Sequence, residues 1–414
     1  MTFRALMAFR AHRVVLSLLC LSAISCGGGS SNSSSGSQMM TPPPPPQVAD
    51  NMVDVIVDQG PSNTSVNTPF VSITVCIPGS NTCQTIDHIL VDTGSYGVRL
   101  LGPALTLTLP VQSLANGQTL AECTVFVDGY TWGPVVQADL QVGGETASSL
   151  PIQVIGDSRY TAVPADCSGM AKTEEDTVST FGANGVLGIG PFAYDCPACA
   201  NVVIPGTYYA CASPSSCVGT TVPANAQVPN PVTRFAADNN GSILELPSVA
   251  TNGQLTVNGT LTFGVDTQSN NQSGSQTVLA VDQNANVTMT FNGQPLTESF
   301  VDSGSNGIFF NDASIATCTQ MGFTDFFCPA STLNLAVSMQ GQNGVMANNL
   351  NFVVENAYTM LNNNPNFNAF PALAGTNPNA NSFDYGLAFF YGKRVATVVE
   401  GNKTSVGTGP YIAF

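Results

Sequence analysis

Histidine and basic residues are what this chain has least of. Its 414 residues include two histidines, and ten lysines and arginines against 26 aspartates and glutamates. Once the N-terminal segment is set aside as a targeting signal, His88 is the one histidine left, so a Ser-His-Asp relay would have to be built on it. His88 lies in the apolar run leading to Asp92, where packing or a surface position is its expected role. A histidine-rich metal site fails for the same reason. Residues 1–26 contain Arg4, Arg10 and Arg13 and no acid, so the remainder has 7 basic and 26 acidic residues, a net charge of −19. Nucleic acid and anionic membrane surfaces would repel such a chain. Long hydrophobic runs are also lacking. Val14–Ile24 is too short to span a bilayer as a stable helix, and no other run is longer and as apolar. Helical periodicity is sparse; Asp312–Met321, with an acidic cap, is one short candidate.

What is present is short alternation of apolar and polar residues, as in Phe70–Val75 and Val287–Phe291, with Asn258-Gly259 and Asn292-Gly293 as hairpin-turn signals. The chain therefore reads as all-β, mostly antiparallel, with few short helices. The stretch from Tyr194 to Asn240 reads as a long, proline-rich, cysteine-bearing loop. Twelve cysteines point to an oxidising compartment. Cys76 with Cys83 and Cys318 with Cys328 flank short turns and read as local disulfides, and Cys123 with Cys167 is a third candidate pair. Cys196, Cys199, Cys211 and Cys217 form a cluster. Four such thiols suit zinc or a redox C-x-x-C, but an even count outside the cytoplasm favours two structural disulfides of open connectivity. No metal or cofactor is expected.

The most informative feature is a repeat. Val91-Asp92-Thr93-Gly94-Ser95-Tyr96-Gly97-Val98 returns as Val301-Asp302-Ser303-Gly304-Ser305-Asn306-Gly307-Ile308, with Asp92 and Asp302 210 positions apart. Each aspartate follows an apolar strand-like run and precedes a small, turn-prone segment, as two related halves would require. Two carboxylates brought together cannot both ionise easily; they share a proton and suit general acid–base work on a water molecule.

On these motifs the chain resembles the bilobal pepsin-like aspartic peptidases, across about residues 51–414. The resemblance implies an N-terminal lobe over 51–250 and a C-terminal lobe over 251–414. It makes Asp92 and Asp302 the catalytic pair, the textbook shared-proton case being pepsin itself. Thr93 and Ser303 would tie the two loops together, Ser95 and Ser305 would orient the carboxylates, and Gly94 and Gly304 would permit the tight turns. Asn184–Gly190 resembles the element crossing behind the first aspartate loop, and Phe126–Gly133 falls at the family's flap hairpin. The usual flap tyrosine is replaced by Phe126, with Tyr130 and Trp132 as neighbouring candidates. Arg99 stands where an aromatic residue is common; it is expected to cap an exposed strand or, less simply, to favour an acidic substrate group. Asp384 puts a charge at an apolar place.

Residues 1–26 read as a signal peptide ending in Ala23-Ile24-Ser25-Cys26, which resembles a bacterial lipobox with Cys26 as the lipidated residue. Residues 27–50 are a Gly/Ser/Pro-rich tether. The expected location is the cell envelope, lipid-anchored, on the periplasmic or surface face of an outer membrane, as a monomer whose membrane contact is the N-terminal lipid. The resemblance extends to a little-characterised group of bacterial lipoproteins with the same paired motifs. The expected function is an aspartic-type endopeptidase acting on a peptide or protein substrate. The alternative is a weak or inactive fold of the same kind that binds a peptide, glycan or envelope partner. A glycosidase also uses two carboxylates, but the paired motif context argues against one.

Overall fold

The computed structural model describes residues 50–127, 129–169 and 173–414. The signal segment, Cys26, nearly all of the tether, and Asp128 of the hairpin lie outside the described residues. The all-β expectation holds: one sheet has 15 strands, a second has 7, most pairings are antiparallel, and the α-helices are Ala165–Ser168, Val178–Phe181 and Ala357–Asn363.

Alternation sets the scaffold of the first half. Pro69–Cys76 pairs antiparallel with Cys83–Asp92, from Phe70 opposite Leu90 to Cys76 opposite Cys83. The last four residues of the latter strand, Ile89 to Asp92, are all buried. Their unbroken apolar run Ile89-Leu90-Val91 suits a strand covered on both faces. One neighbour is Gly185–Ile189, which runs parallel to it, with Gly188 opposite Asp92, and pairs antiparallel with Tyr96–Leu101.

The halves are not separate sheets. Met52–Val57 pairs along its whole length with Val257–Phe263, which continues through Gly241–Leu246 to Lys393–Val398 and Tyr411–Ala413. The seven-stranded sheet carries Val287–Phe291 and Gln294–Val301, joined by Asn292 and Gly293 with φ of 50° and 76°, the left-handed pair a tight hairpin needs.

Three expectations require correction. Asn258-Gly259 is not a turn but lies inside Val257–Phe263, opposite Ile56 and Val55. A Cβ on Gly259 would sit 2.3 Å from the Glu245 carbonyl oxygen, so close strand packing explains the glycine. Asp312–Met321 is not helical. Asp312 caps a turn through the Ser314 amide, and Thr317 and Cys318 are drawn into pairing with Phe327 and Phe326 beside the Cys318–Cys328 disulfide. Nor is Tyr194–Asn240 one loop. Tyr208–Ser213 pairs with Thr119–Val125, and Ser216–Gly219 pairs back on Tyr208–Ser213. The disulfides there are Cys196–Cys199 and Cys211–Cys217, with Cys76–Cys83, Cys123–Cys167 and Cys318–Cys328 completing five.

Asn67 fastens the segment ahead of Pro69–Cys76 to the second half. Its amide donates to the carbonyls of Asn306 and Phe370, both at 2.8 Å, while its oxygen accepts from the Phe370 amide at 2.6 Å and the Tyr391 hydroxyl at 2.9 Å. All its side-chain capacity is used out of water, at a φ of 50°. Replacing it strands several buried partners, each worth about 1–3 kcal/mol. Asn67→Ala is expected to destabilise the protein by at least ~3 kcal/mol in denaturant titration, and Asn67→Gly, which keeps the backbone conformation, by only slightly less.

A second tie titrates. The Glu145 carboxyl, on the edge of the strand Glu145–Ile155, meets Asp238; burial and then the Asp238 charge push Glu145 up to about 7. The folded protein thus holds a proton that the unfolded chain releases nearer 4.5. The stability this contributes is present in acid and lost as pH rises through about 7. Melting temperature should fall between pH ~5 and ~8 more steeply in the wild type than in Glu145→Gln.

Candidate active site

Asp92 closes the strand Cys83–Asp92, and Asp302 directly follows the strand Gln294–Val301. The two loops that follow meet with near-twofold symmetry. The Gly94 amide donates to Asp92 Oδ1 at 2.8 Å, and the Gly304 amide to Asp302 Oδ1 at 2.8 Å. Ser95 Oγ donates to Asp92 Oδ2 in a short bond, and Ser305 Oγ to Asp302 Oδ2 at 2.9 Å. Across the junction the Thr93 amide donates to Ser303 Oγ at 3.1 Å and the Ser303 amide to Thr93 Oγ1 at 3.0 Å. Ser303 Oγ in turn donates to the Val91 carbonyl at 2.8 Å. Six of the residues singled out by the repeat are therefore in one hydrogen-bonded cluster with the two aspartates.

The glycines act differently from the expectation. Neither Gly94 nor Gly304 has left-handed torsions. A Cβ on Gly94 would lie 2.7 Å from the Asp302 carboxyl carbon, and one on Gly304 2.7 Å from Asp92 Oδ1. Glycine is needed because each loop passes directly over the other half's carboxylate.

Asp92 and Asp302 are both 0% exposed and hydrogen-bond to one another. Burial pushes both carboxyls up. For Asp92 this is opposed by hydrogen bonds from Asp302, Ser95 and Gly94 and by the Arg99 charge. For Asp302, the Asp92 and Asp384 charges add to burial and lift it well above the ordinary carboxylate range. The two carboxyls therefore titrate as a pair, holding a proton to higher pH than separate carboxylates would. Asp384, at the apolar place noted in the sequence, is itself buried and pairs in register with Phe300 beside Asp302. It is a third acid that the two motifs alone do not reveal.

A cavity of about 270 Å³ adjoins the dyad, walled by Thr93, Gly94, Tyr96 and Asp195 on one side and Phe300 and Val301 on the other. No lysine or arginine lines it. The size falls just short of the usual range for small-molecule sites, and fits one or two side chains.

The flap candidates do not reach this cavity. The hairpin between Thr119–Val125 and Tyr130–Val142 exists, closed by the Phe126 amide on the Gly129 carbonyl at 2.8 Å. But Phe126 is buried in an apolar cluster with its ring against Phe181. Tyr130 is buried beside Glu174, and Trp132 donates to the Tyr160 carbonyl at 2.9 Å and packs on Tyr209. These aromatic side chains serve two core clusters, since the strand that begins at Tyr130 is buried at each of its first seven residues. His88 is half-buried, with Nε2 3.3 Å from Asp58 and its ring against Phe70, remote from the cluster. Among the described residues no group of three or more histidine, cysteine or acidic side chains could hold a metal.

Arg99 is also corrected. It neither caps an exposed strand nor faces a substrate, but is 1% exposed. Its guanidinium donates to Glu122 at 2.6 Å and 3.2 Å, to Thr124 at 2.8 Å, to Asp195 at 3.3 Å, and to the Tyr96 carbonyl. The lone acid Glu122 within the apolar strand Thr119–Val125 was the available signal for its partner.

The interlock yields a measurable expectation. Thr93→Val and Ser303→Ala should each cost about 1–2 kcal/mol, and the double variant should cost less than their sum, because each removes one end of a reciprocal pair.

In comparisons with known proteins, the chain resembles an aspartic proteinase from Irpex lacteus among solved structures, at 15% identity, covering 87% of this chain and 96% of that one with a TM-score of 0.49. No curated protein matches it by sequence. One family description, "Protein of unknown function (DUF3443)", matches residues 47–414. With all of its described residues inside that match, the chain belongs to the DUF3443 family.

Proposed function

We propose that the protein is an aspartic-type endopeptidase anchored in the cell envelope, hydrolysing peptide bonds with the Asp92–Asp302 pair. The observation that carries this reading is the dyad itself. Two buried carboxylates bond to one another, each is oriented by its own glycine amide and serine hydroxyl, and a cavity adjoins them. Asp92 takes a proton from the attacking water while Asp302 donates its proton to the scissile carbonyl oxygen, giving a non-covalent tetrahedral intermediate. The competent form carries one proton across the pair, so acidic pH favours it. The cavity wall of Tyr96, Phe300 and Val301 suits an apolar side chain of the substrate next to the cleaved bond.

A second reading rests on one observation: both carboxylates are fully out of solvent. A fold that keeps its dyad covered would serve as a binding protein for an extended peptide or envelope partner.

The test uses soluble protein beginning at Gly27 with its disulfides formed. It is incubated with a diverse peptide mixture from acidic to neutral pH, and products are read by mass spectrometry. Cleavage is expected in acid, blocked by a statine-type inhibitor and reduced by about 10²-fold or more in Asp92→Asn and Asp302→Asn. Activity surviving Asp302→Asn unchanged would overturn the mechanism, and no cleavage from folded protein at any pH would leave the binding reading in its place.

A further inference from the structure

We infer that Arg99 is a positioning residue for the candidate dyad: a buried cation that clamps the loop carrying Asp92 to the wall of the adjoining cavity. This rests on the peptidase reading for its activity readout but on geometry for its substance. The guanidinium reaches three separate pieces of chain. Through Nη1 it holds the Tyr96 carbonyl, four residues beyond Asp92 and part of the cavity wall. Through Nε and Nη2 it holds Glu122 and Thr124 on the first strand of the hairpin. Through Nη2 it also holds Asp195, which lines the same cavity and accepts from the Tyr208 hydroxyl at 2.8 Å on both oxygens. Tyr208 closes the network by accepting the Val228 amide at 2.8 Å. A planar fork with five donors can serve all these acceptors at once, and a lysine cannot.

The electrostatics agree with the geometry. Burial alone would make the guanidinium easier to neutralise, but Glu122 and Asp195 outweigh it and keep Arg99 charged. Burial, then Glu122, lifts Asp195 well above the ordinary carboxylate range, while the Arg99 charge and the Tyr208 hydroxyl oppose that rise. The charged and titratable groups around Asp92 are Asp302 and, beyond it, Asp384 from the other half, and Arg99 from its own. Arg99 is the only cation among them, and it favours ionised Asp92. Glu122 and Asp195 act on Arg99 directly, through its Nε and Nη2. Removing the cation therefore raises Asp92.

The experiment compares wild type with Arg99→Met, Arg99→Lys and the triple variant Arg99→Met/Glu122→Gln/Asp195→Asn. The triple variant leaves no unpaired buried charge and guards against a failure to fold. Two readouts are taken: carboxyl-carbon NMR titration of aspartate-labelled protein, and the pH profile of peptide cleavage. The lower titration of the dyad should move up by about half a pH unit or more in the Arg99→Met and triple variants, with the acid limb of cleavage following it. Arg99→Lys should restore the titration while cleavage stays several-fold below wild type. A dyad that titrates alike in wild type and the triple variant would overturn the inference. NMR reads this even if no peptide is cleaved, so silence in the cleavage assay would count against the peptidase reading alone.

Discussion

Two carboxyl groups held against each other away from water are the constraint around which the rest of this structure is arranged. An isolated ionised carboxylate in such a place costs several kcal/mol, and two would add mutual repulsion. The pair holds its protons to higher pH than free carboxylates would, and each oxygen is met by a donor. Those donors come from the loops themselves, one amide and one hydroxyl per aspartate. The loops must then pass so close that neither tolerates a Cβ at its glycine. Reciprocal bonds between Thr93 and Ser303 fix that approach, so the chemistry of the site and the joining of the halves are one set of contacts.

Such a junction would separate easily if it were the only link. It is backed by sheet pairing between Met52–Val57 and Val257–Phe263, by Asn67 anchored on Phe370 and Tyr391, and by a buried core that draws side chains from both halves. The two aspartates therefore sit at the buried ends of their strands, after Ile89-Leu90-Val91 and after Ser299-Phe300-Val301. This supplies the rigidity that a site needs if its geometry is to be held within a fraction of an ångström.

The site was legible in the sequence to the extent that it is made of repeated local motifs. Asp92, Thr93, Gly94 and Ser95 and their counterparts could be found because one chain writes the same turn twice. The β class followed from alternation, and the hairpin at Asn292-Gly293 from its turn residues. Contacts between residues far apart and unrepeated were not legible. Arg99, Glu122 and Asp195 stand in three unrelated segments; Glu122 stands out as the one acid of its strand, but nothing local pairs it with Arg99 or Asp195. Asn258-Gly259 misled because its glycine answers to a neighbouring strand and not to its own torsions. Phe126, Tyr130 and Trp132 were placed in the right hairpin, but their direction depends on which face of the sheet is packed. In Asp312–Met321, a capping aspartate began a turn that pairing near a disulfide then took over.

The same acid logic recurs away from the dyad. Asp195 beside Glu122, Glu145 beside Asp238, and Glu174 beside Asp176 are carboxyls lifted by burial and by a second acid. Each holds its proton to a higher pH folded than unfolded, so each favours the fold in mild acid and withdraws that support as pH rises. Asp266 runs the other way: bonds from Ser405 and Ser273 hold it near 2, so its contribution is lost only as pH falls through that value. Between ordinary carboxylate titration and neutrality, then, the raised groups decide the slope. A chain with few basic residues has little else with which to offset buried acids, and protonation takes the place of ion pairing. Arg99 is the exception, the one fully buried cation among the described residues, and its charge opposes the rise of Asp92.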